Sequence, residues 1–272
     1  MSDPQSQAGD SVIRAGDTAQ AARVLLHAER TATARGPISA EWPGLDLATG
    51  YLIQQQALQQ RIRRGESVVG VKLGLTSRAK QLRMGIAAPS LAWLTDAMIQ
   101  PIGAPLELSR LIHPRVEPEI VFVLGRRLAG PGVSAATALQ AVDLVFGGLE
   151  VIDSRYRDFS FTLADAVADN SSSARFVLGG IGRQPAGLDL AAEACLLQVD
   201  GEVVDSATGA AVQGHPAEAL ALAANELGNR GLALEPGWLV LTGGMTDAVP
   251  VRRGTEVSAE FSSLDSVTVI GD

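Results

Sequence analysis

A single cysteine, Cys195, in 272 residues leaves no partner for an internal disulfide, and only three histidines accompany it. No Cys/His set for a structural zinc can be assembled from these. Positive charge is also scarce, with 22 Lys and Arg against 30 Asp and Glu and a formal net charge of −8. A nucleic-acid binder needs a basic face to neutralise phosphates. The longest basic cluster here, Arg61-Ile62-Arg63-Arg64, reads as the polar end of a helix. No apolar run approaches the ~18 residues of a membrane span. Met1 to Asp17 is polar and lacks the charged-then-apolar pattern of a secretory signal, so residues 1–17 are expected to be a disordered start to a cytoplasmic chain. Dinucleotide, phosphate-loop and nucleophile-elbow signatures are missing as well. Gly179-Gly180-Ile181-Gly182 has the wrong spacing for the first, and Ser77-Arg78-Ala79-Lys80 matches S-x-x-K without the S-D-N or K-T-G that should follow.

What is present is an ordinary globular composition, 46% hydrophobic and 19% charged. Two helices are expected in the first quarter. One runs from Thr18 to Arg35, and one begins after Asp46 as N-cap and ends at Arg64 before Gly65. Leu47, Tyr51, Leu58 and Ile62 supply the second with an apolar stripe at helical spacing. Beyond Gly65 strands dominate: Val68–Leu75, extended chain over Leu106–Leu124, Leu144–Ile152, Arg175–Leu178, Cys195–Val199, Leu239–Thr242 and Val257–Phe261. Short helices are expected over Ser134–Val142 and Pro216–Leu227. The helices do not alternate regularly with the strands, which argues against a doubly wound sheet. Cys195 lies in Ala194-Cys195-Leu196-Leu197 and reads as packing. His27 sits in a helical pattern, and His113 and His215 each precede a proline, so all three read as structural.

The most informative stretch is His113-Pro114-Arg115-Val116-Glu117-Pro118-Glu119-Ile120-Val121-Phe122. In a strand, alternate residues share a face, so Glu117 and Glu119 point together while Val116, Ile120 and Phe122 point to a core. Pro118 between them suits an edge or strand end. Adjacent carboxylates resist joint ionisation, and a cation relieves the repulsion. Glu150 is the only charge between Asp143 and Asp153. Three oxygen ligands without His or Cys suit a hard cation such as Mg²⁺ or Mn²⁺. Glu-x-Glu pairs on solvated strand faces are also common, and the residue pattern alone leaves both readings open.

Lys72 interrupts the apolar run Val68–Leu75. It is either snorkelling to the surface or held in a pocket as an ammonium for a carboxylate or a proton. Asp169-Asn170-Ser171-Ser172-Ser173-Ala174 is either a simple turn or a cradle of donors for an anion. Leu241-Thr242-Gly243-Gly244 carries the same two readings, because glycines admit a ligand close to the backbone.

Taken in order, Val71-Lys72-Leu73-Gly74-Leu75-Thr76-Ser77, Arg115-Val116-Glu117-Pro118-Glu119-Ile120, Leu149-Glu150-Val151-Ile152-Asp153-Ser154-Arg155, Val167-Ala168-Asp169-Asn170-Ser171-Ser172 and Leu241-Thr242-Gly243-Gly244 resemble the 4-oxalocrotonate decarboxylase and 2-oxo-4-pentenoate hydratase family of the fumarylacetoacetate hydrolase superfamily. The resemblance spans about Leu47 to Val269. It implies an α+β fold, a mixed β-sheet roll or barrel-like core with flanking helices. One catalytic domain would cover 18–272, its helical part over 18–66 and its β-rich metal-binding core over 67–272. It implies Mg²⁺ or Mn²⁺ on Glu117, Glu119 and Glu150, with Lys72 beside the substrate, Ser172 and Thr242 as further binding residues, and Asp96 as an acid near the pocket. Ala92-Trp93 stands where the family has Tyr-Gly, a change expected in the pocket wall, and Ser171 replaces Ala.

Leu111-Ile112-His113-Pro114, Asp153-Ser154-Arg155-Tyr156, Met84-Gly85 and Thr242-Gly243-Gly244 are more similar to the decarboxylase branch. The implied reaction is loss of the far carboxylate of 2-oxo-3-hexenedioate in meta-cleavage catabolism of aromatic compounds, with Arg115 or Arg155 orienting that carboxylate. Alternatives are hydration of 2-hydroxypenta-2,4-dienoate and a non-catalytic oxo-acid-binding or structural subunit. The family also implies a homo-oligomer and a complex with a partner hydratase.

Overall fold

The computed structural model describes residues 15–76, 81 and 89–272. The first 14 residues, Ser77–Lys80 and Met84-Gly85 lie outside the described residues. Two helices lead, α1 (Ala15–Arg30) and α2 (Leu47–Arg63). Then follow β1 (Val68–Gly74), β2 (Ser90–Thr95), β3 (Arg115–Leu124), α3 (Ala135–Leu139), β4 (Val142–Ile152), α4 (Leu163–Ala168) and β5 (Ser173–Leu178). The chain closes with β6 (Ala194–Val199), β7 (Glu202–Thr208), α5 (Pro216–Gly228), β8 (Leu239–Leu241), β9 (Val249–Pro250), β10 (Glu256–Phe261) and β11 (Ser266–Ile270).

The strands form two sheets. The larger runs β2-β1-β8-β3-β4-β5, with β9 beside the start of β3, and the smaller runs β11-β10-β6-β7. Among the described strands only β1 and β8 pair in parallel. This is the expected mixed-sheet, α+β half-barrel. The main apolar core joins both sheets to α5. Val71, Ile120, Phe122 and Leu149 meet Leu197, Val257 and Phe261 around Leu220, Ala223 and Leu227. Cys195 is fully buried in it, and burial pushes its thiol up to about 12, so it packs and does not react.

Local signals set the helix ends. Asp46 Oδ1 accepts from the Thr49 backbone N–H at 2.7 Å and starts α2, ahead of the stop near Gly65. Ser134 caps α3 through a capping box, and His215 Nδ1 accepts from the Ala217 N–H at 3.0 Å to start α5. His113 Nε2 lies 2.8 Å from the Ser154 carbonyl, and His27 is exposed.

Three expectations need correction. α1 ends at Arg30 instead of Arg35, because Ala32 turns left-handed at φ 45°. The stripe assigned to α2 is not its buried face. Leu47 and Ile62 are exposed, and Gly50, Ile53, Gln54 and Ala57 are buried. The helix packs on α4 through small residues, and Gln54 Nε2 donates to the Leu91 and Val167 carbonyls at 2.9 and 3.1 Å. Finally, β3 is an interior strand, and only its part from Arg115 onward is extended, since Leu108–Arg110 forms a 3₁₀ turn. Pro118 is tolerated because it falls in the gap between β8 and β9, where its carbonyl accepts from the Met245 N–H at 2.9 Å.

Candidate metal centre

The register of β3 on β4 builds the acidic cluster. Glu117 is the direct partner of Glu150, and Glu119 lies opposite Gly148. All three side chains therefore emerge on one face of the sheet. One carboxylate oxygen from each of Glu117, Glu119 and Glu150 lies within 4.8 Å of the others. Glu119 and Glu150 are fully buried. Burial, then Glu150 and Glu117, push the Glu119 carboxyl well above the ordinary carboxylate range. Lys72 in β1 answers part of this charge, with its Nζ 2.9 Å from Glu150 Oε2. Burial works against the Lys72 ammonium, but Glu150, Glu117 and Glu119 outweigh it and hold it above the ordinary lysine value. Lys72 is therefore a buried cation, not a snorkelling one.

The cluster fits a hard divalent cation on its own geometry. Glu119 Oε1 and Glu150 Oε1 are buried without a hydrogen-bond partner. Two orphaned carboxylate oxygens are costly unless something binds them. Oxygen donors alone, with the Lys72 ammonium lowering the Glu119 value, suit Mg²⁺ or Mn²⁺. Protons compete for the same oxygens, because the raised Glu119 value favours its neutral form as pH falls. Mn²⁺ affinity, read by electron paramagnetic resonance, should weaken steadily as pH is lowered towards that value. Affinity independent of pH would contradict the ligand role of Glu119.

Glu117 and Lys72 line a cavity of about 630 Å³, with Glu119 and Glu150 buried behind them. Its walls include Lys72, Glu117, Ser172, Arg115, Phe159 and Asp247. Two segments are shaped around it. Gly243 has φ 108° and its N–H donates to Glu119 Oε2 at 2.6 Å. A Cβ there would meet Thr76 Oγ1 at 1.9 Å, and one on Gly244 would meet Glu117 Oε2 at 2.3 Å. The paired glycines thus let the backbone touch two of the acids. On the other side Asn170, Ser171 and Ser172 are all left-handed, at φ 52°, 49° and 60°. Asn170 exchanges hydrogen bonds with the Trp93 backbone at 2.9 Å each way, and Ser171 Oγ lies 3.0 Å from Ser90 Oγ. These contacts hold a strained turn that sets Ser172 in the cavity wall.

The remaining candidates divide. Arg115 lines the cavity. Arg155 does not: it is buried on Asp169, and it also donates to the Asp153, Ser173 and Asp169 carbonyls. Thr242 is buried with its Oγ1 donating to the Ile120 carbonyl at 2.8 Å, so it ties β8 to β3 from behind. Asp96 is exposed and accepts from the Ser67 and Ala97 N–H groups at 2.9 Å each, away from the cavity walls. Ala92 and Trp93 are not cavity walls either, since Trp93 serves through its backbone. The reading from sequence missed Phe159, Phe161 and Asp247, which come from loops without periodic signal.

Residues 67–270 match the family described as fumarylacetoacetate (FAA) hydrolase C-terminal. The chain belongs to the fumarylacetoacetate hydrolase family. Within that family it is 42% identical over 231 residues to a 4-oxalocrotonate decarboxylase of Pseudomonas sp. (strain CF600), covering 85% of this chain and 88% of the relative. It is 39% identical over 247 residues to a 2-hydroxyhexa-2,4-dienoate hydratase of Comamonas testosteroni, covering 90% and 94%. A fumarylacetoacetate hydrolase family structure, the 4-oxalocrotonate decarboxylase from Pseudomonas putida G7 complexed with magnesium and adipate, superposes with a TM-score of 0.93 at 36% identity, covering 96% of this chain and 99% of that one.

Proposed function

We propose that this chain is a divalent-metal-dependent lyase that decarboxylates 2-oxo-3-hexenedioate (4-oxalocrotonate), a reading supported by its similarity to 4-oxalocrotonate decarboxylases. The observation that carries the reading is the buried Glu117–Glu119–Glu150 cluster with its orphaned oxygens, set against Lys72 at the floor of a cavity. Glu117, Glu119 and Glu150 hold the ion, and when bound it supplies Lewis acidity to the 2-oxo group. Lys72 Nζ stays protonated and faces the carboxylate and 2-oxo end. As the bond to the far carboxylate breaks, carbon dioxide leaves and the electron pair moves through the double bond to the C2 oxygen. Lys72 counters the negative charge that gathers there and can return a proton. Ser172 offers a hydroxyl from the opposite wall, and the apolar rings of Phe159 and Phe161 restrict water.

Hydration of 2-hydroxypenta-2,4-dienoate is the second reading, favoured by similarity to dienoate hydratases. Both reactions use the same polar end, so the far end decides between them. With 2-oxo-3-hexenedioate and Mg²⁺ or Mn²⁺, carbon dioxide is released at the rate of substrate loss if the first reading holds. Substrate loss without carbon dioxide would transfer the assignment to the hydratase. The same reading includes a cytoplasmic homo-oligomer associated with a hydratase that consumes the reactive dienol. No helix among the described residues is long and apolar enough to cross a membrane.

A further inference from the structure

The wall of the cavity carries a second polar element, and the structure separates the two arginines that the sequence offered for the far carboxylate: Arg115 lines the cavity and Arg155 does not. Arg115 and Glu117 are two residues apart on β3, so both side chains leave the same face, about 7 Å apart along the strand. Both line the cavity. That spacing is roughly the length of a six-carbon dicarboxylate. Among the described residues Arg115 makes no ion pair, and its guanidinium carbon lies 4.6 Å from the Phe159 ring centroid. Phe159 is itself braced. Its ring stacks on His113 at 4.6 Å and 27°, and His113 is held by Ser154 through Nε2 and by Asp153 Oδ1 through its N–H at 2.7 Å. Asp158 and Phe159 are both left-handed, at φ 57° and 52°. A bulky residue in that conformation persists only where its surroundings enforce it.

We infer that Arg115, seated on Phe159, is the specificity residue that takes the far carboxylate of a dicarboxylic substrate. This rests on the proposed function and deepens it. The guanidinium favours the charged carboxylate of the bound substrate. When the carbon–carbon bond breaks, that group departs as neutral carbon dioxide, and its negative charge moves to the C2 oxygen at the Lys72 end. The attraction to Arg115 is therefore weaker in the transition state than in the bound substrate. Arg115 secures selection for dicarboxylates without lowering the barrier. It is a binding residue, and its signature lies in KM.

The test uses metal-loaded full-length chain, with adipate and hexanoate as non-reacting probes in calorimetry. Arg115→Gln should weaken adipate binding by about 10- to 100-fold, the loss of one charge-assisted contact, and leave hexanoate unchanged. Phe159→Leu should weaken adipate in the same direction by less. The KM for 2-oxo-3-hexenedioate should rise with the adipate Kd, with kcat unchanged or higher. Mn²⁺ binding to Arg115→Gln should match the wild type, which separates this site from the metal centre. Equal adipate affinity in the variant and the wild type would overturn the inference. So would a fall in kcat at constant KM, which would place Arg115 in the chemistry. A chain that turns over no 2-oxo acid refutes the proposed function, while the adipate and hexanoate comparison still reads Arg115.

Discussion

Glu150→Gln is expected to lower metal-dependent turnover by about three orders of magnitude or more while the fold persists. The side chain is fully buried, faces Glu117 across the β3–β4 ladder and is the hydrogen-bonded partner of Lys72. Glutamine keeps its shape, so packing changes little. It removes one of the three negative charges that hold the ion and leaves Lys72 with weaker compensation. Lewis acidity contributes several kcal/mol to such a transition state, and each 1.4 kcal/mol is about tenfold in rate. Mn²⁺ titration, turnover and circular dichroism on the same sample check it. Lost ion and lost turnover with native ellipticity support the assignment. Turnover within about tenfold of wild type would remove Glu150 from the metal-binding set.

The second large effect is on stability. Arg155 and Asp169 form a buried ion pair, and Arg155 also gathers three carbonyls from the ends of β4, α4 and β5. Burial pushes the Asp169 carboxyl up to about 6 in spite of Arg155. Removing the arginine strands this carboxyl, and breaking a buried pair in that way costs about 3–5 kcal/mol. Arg155→Met should therefore lower Tm by roughly 10 °C, at about 2–4 °C per kcal/mol for a chain of this size. Arg155→Met with Asp169→Asn should be less destabilised than the sum of the two single changes, because the second substitution removes the stranded charge. Additive losses in thermal unfolding would show that the pair is not coupled. Since Asp169 precedes the strained Asn170–Ser172 turn, Arg155→Met should also disturb the cavity wall at Ser172.

Arg155 also marks where reading from sequence stopped. Arg115 and Arg155 were equal candidates for the far carboxylate, both close to ligands along the chain. Their difference comes from direction. Arg115 shares a strand face with Glu117, whereas Arg155 lies beyond the end of β4 in a turn folded inward onto Asp169. Asp96 belongs to the same class. Its motif is in order, but its Oδ1 caps a turn at the surface, away from the cavity walls. The α2 stripe failed for a related reason. Helical period identifies an apolar face, but close approach of α4 selects the small face beside it.

By itself the sequence nominated the acidic residues without separating a metal centre from a solvated strand face: strand period sends Glu117 and Glu119 to one side, and Glu150 and Lys72 are single charges in apolar runs that must find partners when buried. It also determined the family, through five motifs in order. Only the tertiary structure decided which charges face the cavity and which brace it. Strand register pairs Glu117 with Glu150, Gly243 and Gly244 bring the backbone onto the acids, and the Asp158–Phe159 turn delivers a ring to Arg115. These are contacts between segments far apart in the chain, and no local period encodes them.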